Sequence, residues 1–162
     1  MTRLFYLSIF IACILLLGFG LYLEHVKGLE PCPLCILQRI AYIVIAFIAL
    51  IATIHNPENF MGFVYSGLLL ITAAAGAGIA ARQTWLQHLP ADQVPECGPG
   101  FDYMLEVFPL AEALKMILGG SGECAEVQWS FLTLSIAEWS LVCFAFLIMA
   151  SLVLIIQAKR TT

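Results

Sequence analysis

Charge is what this sequence has least of. Of its 162 residues only 11% are Asp, Glu, Lys or Arg, while 62% are apolar and the net charge is −4. A soluble domain carries about 25% charged residues, so a wholly water-facing surface is excluded, and no nucleic-acid partner is expected of so few cations. The chain also lacks an A-x-A-like cleavage site behind its first apolar run, where Gly18-Phe19-Gly20-Leu21-Tyr22 continues bulky and aromatic. That run exceeds the roughly 7–15 apolar residues of a signal peptide, so it reads as a retained span. The segment His55-Asn56-Pro57-Glu58-Asn59 holds no Lys or Arg at all. Lys27, Arg82 and Lys115 on one side nearly balance Arg3, Lys159 and Arg160 on the other, so the positive-inside count does not orient the chain. Internal repeats and low-complexity segments are absent too.

What is present is four long apolar stretches. Leu4–Leu23 and Phe60–Ala81 carry no charge, Pro33–Ile54 carries only Arg39, and Trp139–Ile156 carries none. A helix needs about 20 apolar residues to cross the hydrocarbon core. The expected fold is therefore an all-α integral membrane protein, a four-helix transmembrane bundle read as one domain over 1–162. Its spans fall at about 4–23, 34–54, 60–81 and 138–157, with outer loops at about 24–33 and 82–137. An even count puts both termini on one side. Four of the six cysteines, Cys32, Cys35, Cys97 and Cys124, fall on the opposite side. Stable disulfides belong in an oxidising compartment, which places the termini in the cytoplasm and the cysteine loops outside. Cys13 and Cys143 lie within spans and read as packing residues.

The segment from Arg82 to Glu138 holds eight acidic and two basic residues, with prolines at 90, 95, 99 and 109. Val107, Leu110, Ala111, Leu114, Ile117 and Leu118 recur at helical spacing, which predicts a short helix lying on the membrane surface. Trp85, Trp129 and Trp139 suit interfacial positions. The run Ala73-Ala74-Ala75-Gly76-Ala77-Gly78-Ile79-Ala80-Ala81 has two readings. Small residues let helices approach closely in lipid, or they leave room for a flat ligand near the outer surface.

The chemistry concentrates in Pro31-Cys32-Pro33-Leu34-Cys35-Ile36-Leu37-Gln38-Arg39. Pro33 suits a first helical turn because its missing N–H is no loss there. Cys35 and Arg39 share a helix face. A thiol at a helix N-terminus near a guanidinium has two reasons to ionise, and the thiolate is the species that exchanges disulfides. Four cysteines allow three pairings. Cys32 with Cys35 makes the tight ring of redox motifs, and Cys97 with Cys124 would close the long loop, there either as a redox pair or as a simple brace. Zinc fits poorly, since structural sites commonly use two close pairs and no His stands at ligand spacing; no metal is expected.

Cys32-x-x-Cys35-x-x-x-Arg39 opening the second of four spans, together with Cys97 and Ser121-Gly122-Glu123-Cys124-Ala125-Glu126-x-Gln128-Trp129, resembles the DsbB family, the bacterial disulfide bond formation proteins. The resemblance covers nearly the whole chain. It implies an inner-membrane enzyme with periplasmic cysteine loops that reoxidises a DsbA-like thioredoxin-fold dithiol oxidase and passes electrons to the quinone pool, ubiquinone or menaquinone. It further implies that Cys97 is attacked by the partner's thiolate, that Cys124 is its disulfide mate and exchanges with Cys32, and that Cys35 faces the quinone, which Arg39 helps to hold. A quinone reductase of the vitamin-K-epoxide type would place its Cys-x-x-Cys late in the chain. A tetraspan scaffold with purely structural loop disulfides is the non-enzymatic alternative.

Overall fold

The computed structural model describes residues 2–57, 59–90, 92–94 and 101–160. Among the described residues the protein is all-α apart from one tiny hairpin. Among them, four helices are long and apolar enough to cross a membrane: α1 (Thr2–Lys27), α2 (Pro33–His55), α3 (Asn59–Gln87) and, after three short helices, α7 (Ile136–Arg160). Each exceeds the apolar stretch that announces it, because hydropathy marks the part inside lipid and not the end of the helix. After Ala81, α3 continues through Arg82-Gln83-Thr84-Trp85-Leu86-Gln87; none of these breaks a helix, and the next proline is Pro90. At the other end of the bundle, α2 stops where Asn56 adopts φ 47° and donates its N–H to the Ala52 carbonyl. Pro57, which cannot continue the helix, follows directly.

The helices pack α1 on α2, α2 on α3 and α3 on α7. Their shared core includes Tyr6, Cys13, Ile45, Leu69, Phe144 and Leu154. The small-residue run of α3 serves this packing. A β-carbon at Gly76 would lie 2.3 Å from the Phe144 ring, so the missing side chain is what lets Phe144 seat and stack on Tyr42, with centroids 4.3 Å apart. Large apolar side chains such as Leu15, Phe47, Ile71 and Phe146 face outward, as lipid contact requires.

The long loop folds onto one end of the bundle as α4 (Phe101–Val107), α5 (Leu110–Gly119), α6 (Gly122–Ala125) and the strands β1 (Ser130–Phe131) and β2 (Leu134–Ser135). The expected helix over the 107–118 region is thus two helices. Pro109 divides them: it has no N–H to give and disfavours helical geometry at the residue before it. The apolar stripe divides as well. Ile117 is buried, joined one turn earlier by Ala113, while Leu110 is 68% exposed and Leu114 and Leu118 are exposed beside it. Ala113 and Ile117 close a second cluster with Leu34, Leu86, Met104, Cys32 and Cys124.

The hairpin pairs Ser130 with Ser135 and Phe131 with Leu134. Its turn residues Leu132 and Thr133 both take positive φ, a geometry that normally calls for Asn or Gly, so the sequence offers no turn signature there. The start of α7 is legible in retrospect. The Ser135 N–H donates to Glu138 Oε2 at 2.7 Å and the Glu138 N–H to Ser135 Oγ at 3.3 Å, a capping box in Ser-Ile-Ala-Glu.

Ile117 is the largest α5 side chain that ties this loop to the bundle. Ile117→Ala should forfeit about 2–5 kcal/mol of packing. In the reduced protein Cys124 should then be alkylated by a maleimide at least about tenfold faster, because local opening becomes more populated. An unchanged rate, with the helical circular dichroism preserved, would show that other contacts hold the loop down.

Candidate functional site

Three of the four loop cysteines meet at the second cluster. Cys32 is the N-cap of α2, in extended conformation with φ −68° and ψ 163°, and Pro33 occupies the first helical turn. One turn on, Cys35 brings its sulfur to 3.2 Å from that of Cys32. Cys124, on α6, is fully buried and packs in the same cluster as Cys32. The three are thiols, and Cys32 stands between the other two. Cys97 lies outside the described residues.

The hydrogen bonds between these sulfurs are asymmetric. Cys32 has its pKa raised, first by its hydrogen bonds with Cys124 and Cys35 and then by burial. The hydrogen bond from Cys32 lowers the pKa of Cys124, against the opposing effect of burial, and the Ser121 and Leu34 backbone assists. The negative charge therefore favours Cys124 and the proton Cys32.

A second group touches these sulfurs, and the sequence reading did not single it out. Gln83, on α3 and only 3% exposed, places Nε2 3.3 Å from the Cys32 sulfur and 3.2 Å from that of Cys35. Its Oε1 accepts from Gln38 Nε2 at 2.7 Å. Gln38, inside the apolar run of the second span, is the signal that could have prompted a search for a partner, since a polar group within an apolar helix needs one; Gln83 lies beyond the expected end of the third span and carried no such signal.

Arg39 shares a cavity with Cys35, as their four-residue spacing implies. Its guanidinium is held from α1, with Nη1 on the Glu24 carboxylate and Nη2 on the Gly20 carbonyl at 3.2 Å. These engage two of its five N–H donors. Glu24 is therefore part of the site, although it reads in sequence as a polar loop residue. Beside the Cys32 thiol, Gln83 is the side-chain donor that reaches the Cys35 sulfur.

The cavity measures about 360 Å³ and lies between α1, α2, the end of α3, α7 and the 123–131 segment, a size typical of small-molecule sites. Leu16, Phe19, Trp129 and Trp139 supply apolar walls, and Cys35, Gln38, Arg39 and Gln83 supply polar groups on one side. Trp129 packs edge-on against Phe19 and stacks on Phe131, and Trp139 donates its indole N–H to the Phe131 carbonyl. A flat, mostly apolar ring with carbonyl acceptors suits such a lining. The small-residue run 73–81 contributes nothing to the cavity wall.

Arg82 and His88 take structural positions. Arg82 donates to the Leu118 and Gly119 carbonyls at 3.3 and 2.8 Å and lies 4.4 Å from the Trp85 ring. It satisfies carbonyls left open at the end of α5. Beyond it, Gly120 has φ 79° and packs so closely on Leu86 that a β-carbon would meet it at 2.3 Å. The His88 ring accompanies Glu138 at 3.8 Å.

Comparison with known proteins agrees with this arrangement. The family model for disulfide bond formation protein DsbB matches residues 2–154. A disulfide bond formation protein B from Hahella chejuensis is 56% identical over 143 residues, covering 88% of this chain and 87% of the relative. One from Aromatoleum aromaticum is 50% identical over 159 residues, 98% of this chain and 95% of the relative. A third, from Acinetobacter baumannii, is 48% identical over 143 residues, 88% and 84% of the two chains. With four membrane-spanning helices, a Cys-x-x-Cys at the mouth of the second and a third cysteine docked on it, the chain belongs to the DsbB family of disulfide bond formation proteins.

Proposed function

We propose that the protein is a thiol–quinone oxidoreductase that reoxidises a DsbA-like periplasmic thioredoxin-fold oxidase and delivers the electrons to ubiquinone or menaquinone. It works as a single transmembrane unit in the bacterial inner membrane, with cytoplasmic termini and periplasmic cysteine loops. The observation that carries this reading is the position of Cys32, in contact with both Cys35 and Cys124. Disulfide exchange needs an attacking, a central and a leaving sulfur, and Cys124, Cys32 and Cys35 supply them in that order.

Electrons enter when a thiolate of the reduced partner attacks Cys97. The Cys97–Cys124 bond breaks and releases Cys124; the partner's second thiolate then attacks the mixed disulfide, forming the partner's own disulfide and expelling Cys97 as a thiolate. Cys124 attacks Cys32, the Cys32–Cys35 bond breaks, and Cys35 departs as a thiolate. Attack of Cys97 on Cys124 restores the loop disulfide and frees Cys32. The pair Cys32 and Cys35 now holds the two electrons as a dithiol. A quinone supplies the acceptor for those two electrons and two protons, returning the pair to a disulfide. Arg39 is the donor suited to a quinone carbonyl, and the aromatic walls suit its ring. The direction is demanding, because a DsbA-type oxidase sits near about −120 mV and only a stronger oxidant can recharge it.

Thiol trapping in membranes tests this. With quinone present and the partner reduced, Cys32 and Cys35 should be recovered as a disulfide, and with the quinone pool emptied they should be alkylated as thiols. Disulfides that stay oxidised and inert under both conditions would leave a scaffold braced by its loops.

A further inference from the structure

We propose that Gln83 is a catalytic hydrogen-bond donor to the Cys32–Cys35 couple, and that Gln38 is the positioning residue that fixes its amide. The inference rests on the thiol-exchange reading above and assigns a role to a residue outside the cysteine motifs.

The geometry carries it. The two sulfurs are 3.2 Å apart, and one amide nitrogen reaches both, at 3.3 and 3.2 Å. That nitrogen has two N–H bonds, so it can serve both sulfurs at once. The side chain is buried, where a hydrogen bond to a charged sulfur is strongest and an unmade one most expensive. Gln83 Oε1 accepts from Gln38 Nε2 at 2.7 Å and, more distantly, from the Cys35 thiol at 3.6 Å; the short bond to Gln38 fixes the amide with its nitrogen nearer both sulfurs. A glutamine also brings donors to an apolar cluster without a second buried charge. It completes what Arg39, held from α1, leaves to be done at the sulfurs.

In the exchange step, Cys124 forms a bond to Cys32 as the Cys32–Cys35 bond breaks, and the electron pair of that bond leaves on Cys35. Gln83 Nε2 donates to the departing sulfur. When Cys97 later takes Cys124 back, the electron pair leaves on Cys32, and the other N–H of the same nitrogen meets it. One donor thus stabilises the leaving group in both halves, without moving between them.

Two isosteric replacements and one remote one test this in the full-length protein in detergent or nanodiscs. Gln83→Met removes the amide, Gln83→Glu keeps its shape but replaces the donors with acceptors, and Gln38→Met removes only the pin. Exchange with dithiothreitol gives the equilibrium of the Cys32–Cys35 couple and requires neither quinone nor partner. Both Gln83 variants should move it about tenfold toward the disulfide, equivalent to about 30 mV. Quinone-dependent turnover should fall about 10- to 100-fold, the scale of a hydrogen bond to a charged group. Gln38→Met should move both readouts the same way by a smaller factor. A Gln83→Glu protein with the wild-type dithiothreitol equilibrium would overturn the proposal, because shape alone would then suffice. Normal dithiol exchange in the wild type without any quinone turnover would instead sink the functional reading and leave the Gln83 assignment standing.

Discussion

Cys124→Ser is expected to abolish oxidation of a thioredoxin-fold dithiol partner while sparing reduction of quinone by dithiothreitol. Cys124 is fully buried and touches Cys32, so it is the sulfur that can hand electrons to the Cys-x-x-Cys pair. A serine hydroxyl fills nearly the same space, and it can accept the hydrogen bond from Cys32, but it does not attack a disulfide at neutral pH. Partner oxidation should therefore drop by at least about 10³-fold, the scale of removing a nucleophile. The Cys32–Cys35 pair keeps Gln83 and the cavity, so a small dithiol that reaches it directly still drives quinone reduction. Loss confined to the macromolecular partner distinguishes a broken relay from a broken fold. Retained partner oxidation by Cys124→Ser would show that electrons reach Cys32 directly and would remove the second cysteine pair from the route.

The burial of Cys124 also explains why its segment needs so many anchors. A helix of four residues cannot hold itself in place. Arg82 grips the end of α5, Gly120 turns the chain tightly over Leu86, and Ile117 plugs the apolar cluster. All three act on residues just before Cys124. The same fastening explains the division of the α5 surface. Ala113 and Ile117 bind the loop to the bundle, and Leu110, Leu114 and Leu118 remain exposed as an apolar face suited to lipid.

The sequence announces the spans because the lack of charge in four runs of about 20 residues has one physical explanation in a membrane. It announces the thiol centre because Cys-x-x-Cys with Pro33 at a helix start is a local pattern. Cys35 and Arg39 could be placed on one helix face by helical period alone. What escaped notice depends on contacts between distant segments. Gln83 reaches the sulfurs from 48 and 51 positions away, and Glu24 is 15 positions from Arg39. No periodicity reports such pairings. The break at Pro109 was open to reading, since a proline within a helical pattern ends or divides it, but the apolar stripe ran across it and concealed it. The Leu132-Thr133 turn had no signature, because its residues are not those its backbone favours.

Arg39→Met should raise the KM for quinone by about 10- to 100-fold, the range for losing a charge-assisted hydrogen bond, with little change in kcat. Methionine retains most of the apolar stem, so α1 and α2 stay packed. What disappears is a planar donor held in one orientation by Glu24 and the Gly20 carbonyl. A mutation that removes ground-state binding acts on KM, whereas one that disables the thiols acts on kcat. Under the proposed route, exchange of Cys97 and Cys124 with a dithiol partner should be unaffected, since it precedes the transfer to Cys32 and does not involve Arg39. Arg39→Lys should rescue only part of the loss: a single ammonium cannot reproduce the guanidinium fork that serves Glu24, the carbonyl and a ligand together. Glu24→Gln separates orientation from charge. It leaves Arg39 charged and still hydrogen-bonded but less firmly held, and because the pair is partly exposed its effect should be small, about two- to fivefold in KM. The measurement is quinone titration at saturating dithiol for all three variants. If Arg39→Met leaves the quinone KM at the wild-type value, Arg39 is only a clamp between α1 and α2, and the quinone carbonyl must be met by another donor of the cavity.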